Sequence, residues 1–233
     1  PDKLITRTGG QILVDALKVH GVDMAFGVPG ESYLSVLDAF YESRDEIKFV
    51  ICRQEGGAAN MADAYGKLTG RPGICFVTRG PGATNASIGV HTAFQDSTPM
   101  ILFIGQVPRR NLRRRSFQEI DYGKFFGDIA KWVVEITDPA RIPEIMSRAI
   151  QIATSPTPGP VVVVMPEDML EDMVPAAEFR PVARAAAPVL ADTFTPDTFD
   201  DMVDPKPQSR LGRFFFETAR GWSDDTVLPE EEA

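Results

Sequence analysis

Cysteine is nearly absent: Cys52 and Cys75 stand alone among 233 residues. They show no CxxC spacing and are too few for a disulfide framework or a thiolate metal site. Histidine is as scarce, and neither His20 nor His91 has a nucleophile nearby in the sequence, so both read as structural. Asp63, Asp96 and Asp121 are too scattered to suggest a metal cluster, and no metal ligand is assigned. No apolar run approaches the ~20 residues a spanning helix needs, so a membrane is not an expected partner. The longest runs, Met100-Ile-Leu-Phe-Ile-Gly105 and Val161-Val-Val-Val-Met165, are strand-sized. Basic excess is missing too: the formal charge is −9, which argues against nucleic acid as a partner. Pro1-Asp-Lys-Leu shows no signal-peptide pattern, and a reducing, cytoplasmic setting is expected.

The charge is uneven. Residues 171–233 hold 14 Asp/Glu against 6 Lys/Arg, whereas residues 1–170 hold 19 against 18. In the nearly neutral part, short apolar runs alternate with amphipathic stretches. Strands are expected at 24–28, 47–52, 74–78, 100–105, 132–136 and 161–165, and helices at 8–20, 32–42, 56–68, 83–94 and 139–154. Thr8 and Gln11 form a capping box, and Gly21 ends the first helix. Strands separated by helices imply parallel pairing through crossovers and a sheet covered on both faces. After Pro166, closely spaced prolines interrupt an acidic stretch, so regular structure is expected to give way there. The division expected is therefore a folded domain over 1–170 and an irregular linker or arm over 171–233, with one short helix near 210–220.

Four segments carry chemistry. In Phe49-Val-Ile-Cys-Arg-Gln-Glu55-Gly-Gly-Ala-Ala, a strand runs through one acid into a small-residue helix. Glu55 either caps that helix or works as an ionised group at its N-terminus, where open α/β sheets bind ligands. Ala58, Ala59 and Ala62 would let another helix approach closely, either within the chain or across a subunit interface. In Ile74-Cys-Phe-Val-Thr78-Arg79-Gly80-Pro81-Gly82-Ala-Thr84-Asn85, a glycine turn invites a dinucleotide reading. Asn85 in place of a third small residue, and Gly105-Gln106 in place of an acid after the next strand, speak against it. Phe26-Gly-Val28-Pro29-Gly30 is a third such turn, which raises the prospect of one shared pocket. Finally, Arg109, Arg110, Arg113, Arg114 and Arg115 form a basic run just after a strand. It reads as a solvated loop, an anion clamp or a dock for the acidic arm.

Together, Val28-Pro-Gly30, the Glu55 segment, Thr78-Arg-Gly-Pro-Gly82-Ala-Thr-Asn85 and Phe117-Gln118-Glu119 resemble the N-terminal pyrimidine-binding domain of thiamine-diphosphate enzymes, with the acetolactate synthase group the nearest likeness. The resemblance spans about residues 4–170 and implies a flavodoxin-like, six-stranded parallel α/β sheet. It implies that Glu55 hydrogen-bonds N1′ of the aminopyrimidine and so activates the cofactor for attack on a 2-keto acid. It also implies that Val28, Pro29 and Gly30 border the cofactor, that Thr78, Gly80, Pro81, Gly82 and Asn85 shape its pyrimidine end, and that Phe117 and Gln118 face the substrate. Mg²⁺ and the diphosphate would be held by a GDG…N domain that this sequence does not contain, so the chain alone is expected to be inactive. The implied partners are a second copy, giving a homodimer or tetramer, or a companion chain with the missing domain; a non-catalytic dimerisation module is the alternative. Two departures stand out: Pro166-Glu167-Asp168 where these synthases usually carry Pro-Lys-Asp, and the arginine run where they carry small and polar residues.

Overall fold

The computed structural model describes residues 6–175. The acidic arm after residue 175 and the short helix expected near 210–220 lie outside these residues. Six strands form one parallel sheet: β2 (Met24–Gly27), β3 (Lys48–Ile51), β4 (Gly73–Val77), β5 (Met100–Gln106), β6 (Trp132–Glu135) and β7 (Pro160–Pro166). Their spatial order is β3-β2-β4-β5-β7-β6. Two short strands, β1 (Thr6–Thr8) and β8 (Met173–Pro175), pair antiparallel beside it.

The crossover helices are α1 (Gly9–Val19), α2 (Leu34–Glu42), α3 (Glu55–Thr69), α4 (Pro81–Gln95), α5 (Tyr122–Phe126) and α6 (Ile142–Thr154), with α7 (Glu167–Glu171) after the last sheet strand. The Thr8–Gln11 capping box is present in both directions, and Gly21 adopts φ 75° just past α1. The chain stays regular beyond Pro166, through α7 and β8, because β1 supplies β8 with a backbone partner.

Each central strand is apolar on both faces, which explains its unbroken run. One face puts Phe76, Phe103, Val161 and Val163 against α1, α2 and α6, and Phe76 stacks on Phe103 with centroids 4.4 Å apart. The other puts Cys75, Val77, Leu102, Ile104, Val162 and Val164 against α3, α4 and α5. Ala58, Ala59 and Ala62 are fully buried here: a Cβ on Gly89 of α4 would come within 2.5 Å of the Ala59 Cβ, and one on Gly73 within 1.8 Å of the Ala62 carbonyl. The alanines thus serve packing inside the chain, and the interface reading of that stripe is corrected.

From β2 the chain leaves for the edge strand β3, then returns to β4 on the other side of β2. Connections that diverge in this way open a crevice at the carboxyl ends of β2 and β4, the usual ligand position in open α/β sheets.

Candidate functional site

Glu55 begins α3 beside this crevice. It does not cap the helix: Gln54 does, its side chain accepting from the Gly57 N–H at 2.9 Å. The Glu55 carboxylate is left for other work. Its Oε2 accepts from Asn85 Nδ2 at 3.0 Å, so the first turns of α3 and α4 meet through this pair. Its Oε1 lies 3.5 Å from where a Gly82 Cβ would stand. The side chain is half-buried. Glu55 and the Gly82–Asn85 segment, which lie in two separate motifs, therefore converge.

The two glycine turns lock together. A Cβ on Gly30 would meet that of Thr78 at 2.7 Å, so only glycine lets the turn after β2 lie this close to the end of β4. Ser32 Oγ and Thr78 Oγ1 are 2.8 Å apart and share a hydrogen bond. The buried Tyr33 donates its hydroxyl to the Val28 carbonyl, holding the Val28-Pro29-Gly30 bend from beneath. Pro81 opens α4, where its missing N–H costs nothing.

Gly80 has φ 56° and ψ −108°, and a Cβ there would strike the Gln118 Cβ and carbonyl at 2.8 Å. Gln118 itself adopts φ 63°. Gln118 is thereby brought to the turn, while Phe117, beside it, is 77% exposed. Glu119 ties this segment, accepting from the backbone N–H groups of Arg113 and, at 3.0 Å, Ser116.

The Gly80 N–H donates to the buried Tyr122 Oη at 2.9 Å. Burial, opposed by that N–H, pushes the Tyr122 phenol up to about 12. The phenol stays protonated in the fold while the unfolded chain ionises near pH 10. Stability is thus present in full below pH 10 and lost as pH rises through about 12. Tyr122→Phe should strand the Gly80 donor at a cost of about 1–3 kcal/mol and flatten the alkaline loss. Urea unfolding of the two proteins at pH 8 and pH 11 reads both effects.

The arginine run does not act as one block. Arg109 turns inward: its Nε donates to Asp168 at 3.0 Å, its Nη2 to Asp172 at 2.6 Å and its Nη1 to the Thr137 carbonyl at 2.9 Å. Burial opposes ionisation of Asp168, but the hydrogen bonds from Arg109 overcome it and hold the carboxyl below its ordinary range. Arg113 and Arg115 line a cavity of about 780 Å³ over the ends of β5, β6 and β7, with Lys124, Glu119, Asp121 and Glu135. Cations and carboxylates balance in number there, so the lining shows no bias toward an anion. Among the described residues no group of three or more His, Cys, Asp or Glu could hold a metal ion, and no helix is long and apolar enough to cross a membrane.

Sequence reasoning passed over Ser32, Tyr33, Tyr122 and Arg79. Arg79 alone carried a signal, a long charged side chain wedged between a strand end and a glycine turn.

A doubly wound parallel sheet with Glu55 at the start of α3, beside the glycine turns after β2 and β4, is the architecture in which open α/β sheets place their ligands. Residues 7–125 match the family described as thiamine pyrophosphate enzyme, N-terminal TPP binding domain, and the chain belongs to that family. The acetolactate synthase of Arthrospira platensis is 43% identical over 164 residues, covering 70% of this chain and 28% of that protein. The mitochondrial acetolactate synthase catalytic subunit of Saccharomyces cerevisiae is 41% identical over 162 residues, covering 70% and 23%. The acetolactate synthase of Bacillus subtilis is 36% identical over 180 residues, covering 77% and 31%. The chain thus matches between 23% and 31% of the length of these relatives.

Proposed function

We propose that this chain supplies the pyrimidine-binding part of a thiamine-diphosphate-dependent carboligase or decarboxylase acting on 2-keto acids, of the acetolactate synthase kind. The observation that carries the reading is the Glu55 carboxylate, with one oxygen anchored by Asn85 and the other beside the bare α-carbon of Gly82. That arrangement fits an aminopyrimidine, whose ring nitrogen, once protonated, needs one acceptor in a flat slot. When bound, thiamine diphosphate supplies a thiazolium carbon able to add to the carbonyl of a 2-keto acid. Glu55 Oε1 would accept from the protonated ring nitrogen N1′ and hold the proton at that atom, with Asn85 fixing the rotation of the carboxylate. Val28, Pro29 and Gly30 border the cofactor, Thr78, Gly80, Pro81 and Gly82 shape its pyrimidine end, and Phe117 and Gln118 face the substrate. A single carboxylate suffices for this work.

The diphosphate and its Mg²⁺ belong to another domain in this reading, and the linker or arm expected over 171–233 starts only after Pro175, because Met173–Pro175 pairs with β1 of the domain expected over 1–170. Assembly is as a dimer or tetramer through the outer faces of α3 and α4. Met61, Leu68 and Ile88 are exposed there, Leu68 to 87%, and a Cβ on Gly56, next to Glu55, would lie 3.3 Å from Ile88. A second copy seated on that apolar face buries it and shields the carboxylate from water. The test is calorimetry with thiamine diphosphate and Mg²⁺ on the full-length protein, supplied with a chain that carries the diphosphate domain. Binding together with turnover of a 2-keto acid is expected, and absence of binding overturns the reading.

A further inference from the structure

We propose that Arg79 is a positioning residue that clamps three βα turns into one wall of the cofactor crevice, an inference that rests on the reading of Glu55 above. Arg79 leaves the end of β4 between Thr78 and Gly80 and is only 8% exposed. Its Nη2 donates to Glu31 Oε1 at 3.0 Å, in the turn after β2. Its Nη1 donates to Glu167 Oε2 at 3.2 Å, at the start of α7 after β7. Two segments distant in sequence are thus held by one side chain from a third.

The two arms are unequal. The Glu31 side chain is 72% exposed and that of Glu167 34%, and an ion pair strengthens as water is withdrawn, so Glu167 carries most of the tie. Lysine could not do the same work, because one ammonium is a point charge whereas the guanidinium fork spans two carboxylates at a fixed angle. A lysine at 167 would set like charges together. Acid at 167 and arginine at 79 are complementary. The Nε–H of Arg79 is buried without an acceptor among the described residues. A donor left unpaired costs stability, as expected of a group placed for reach rather than for its own solvation.

The clamp acts on the site through its neighbours. Thr78, just before Arg79, bonds Ser32 and abuts Gly30; Gly80, just after, is held by Tyr122 and leads to Gly82 beside Glu55. Releasing Arg79 frees both glycine turns at once.

In the full-length enzyme, Arg79→Met should weaken thiamine diphosphate binding, read by calorimetry, by about 10- to 100-fold, the loss expected when charge-assisted hydrogen bonds that hold a site are removed. The loss falls on cofactor affinity rather than on kcat at saturating cofactor. Amide exchange in the cofactor-free protein should quicken together at residues 28–33, 78–82 and 166–170, while β6 and α6 keep wild-type protection. Arg79→Lys should recover little, and Glu167→Gln should reproduce most of the effect in a milder variant that keeps Arg79. Unchanged affinity, or exchange that accelerates evenly along the chain, overturns the proposal. If the wild-type enzyme itself fails to bind thiamine diphosphate, the functional reading falls, while concerted exchange at the three turns still decides the clamp.

Discussion

Glu55→Gln in the complete enzyme is expected to slow exchange of the C2 proton of bound thiamine diphosphate by about 10²- to 10⁴-fold, the range a single acid–base group supplies. The substitution is nearly isosteric. The Gln carbonyl can keep the bond that Asn85 Nδ2 makes to Oε2, but the other oxygen becomes an amide that donates where it should accept. Folding stability should stay within about 0.5 kcal/mol, as for other half-exposed positions without a buried partner. Proton exchange followed by NMR in deuterated buffer, with urea unfolding as the control, separates a chemical loss from a structural one. Exchange at the wild-type rate in the variant would remove Glu55 from its assigned role.

Gly80→Ala should be the most damaging single-methyl change at the site. The backbone there, at φ 56° and ψ −108°, is closed to residues with a Cβ, which costs about 1–3 kcal/mol in strain. The new methyl would lie 2.8 Å from the Gln118 carbonyl, adding about 1–3 kcal/mol of overpacking. Relief by moving the turn would stretch the Gly80 bond to Tyr122 and carry Gly82 away from Glu55. A loss of roughly 2–6 kcal/mol in urea unfolding is expected, with cofactor affinity falling alongside. A variant as stable as wild type would mean that this turn is not held as described.

Much of the architecture is legible in the local sequence. The six sheet strands and five main helices fall within a few residues of where periodicity placed them, and the Thr8–Gln11 box closed as written. These features depend on neighbours within a turn or on a two-residue repeat, so local composition specifies them. The short elements α5, α7, β1 and β8 were not readable. Thr6–Thr8 and Met173–Pro175 are strands only because each is the other's partner across the chain. The site was legible as motifs and illegible as contacts. Nothing local says that Asn85 reaches Glu55, that Gly80 leans on Gln118, or that Arg79 bonds Glu31 and Glu167.

Charge shows the same division. The run from Arg109 to Arg115 reads as one basic patch along the chain, yet Arg109 is consumed by Asp168 and Asp172 while Arg113 and Arg115 face a cavity with as many acids as bases. The alanines of α3 fit either internal packing or an intersubunit seam by sequence, and they pack internally against Gly89 and Gly73. Period, composition and turn chemistry were enough for the α/β class, the order of elements and the acid at the start of α3, because each arises from interactions a few residues apart. Which turns meet over the crevice, which charges cancel and which small residues are spent in the core depended on strand order. That order is a matter of long-range pairing, whose partners lie tens of residues away and leave no trace in local sequence.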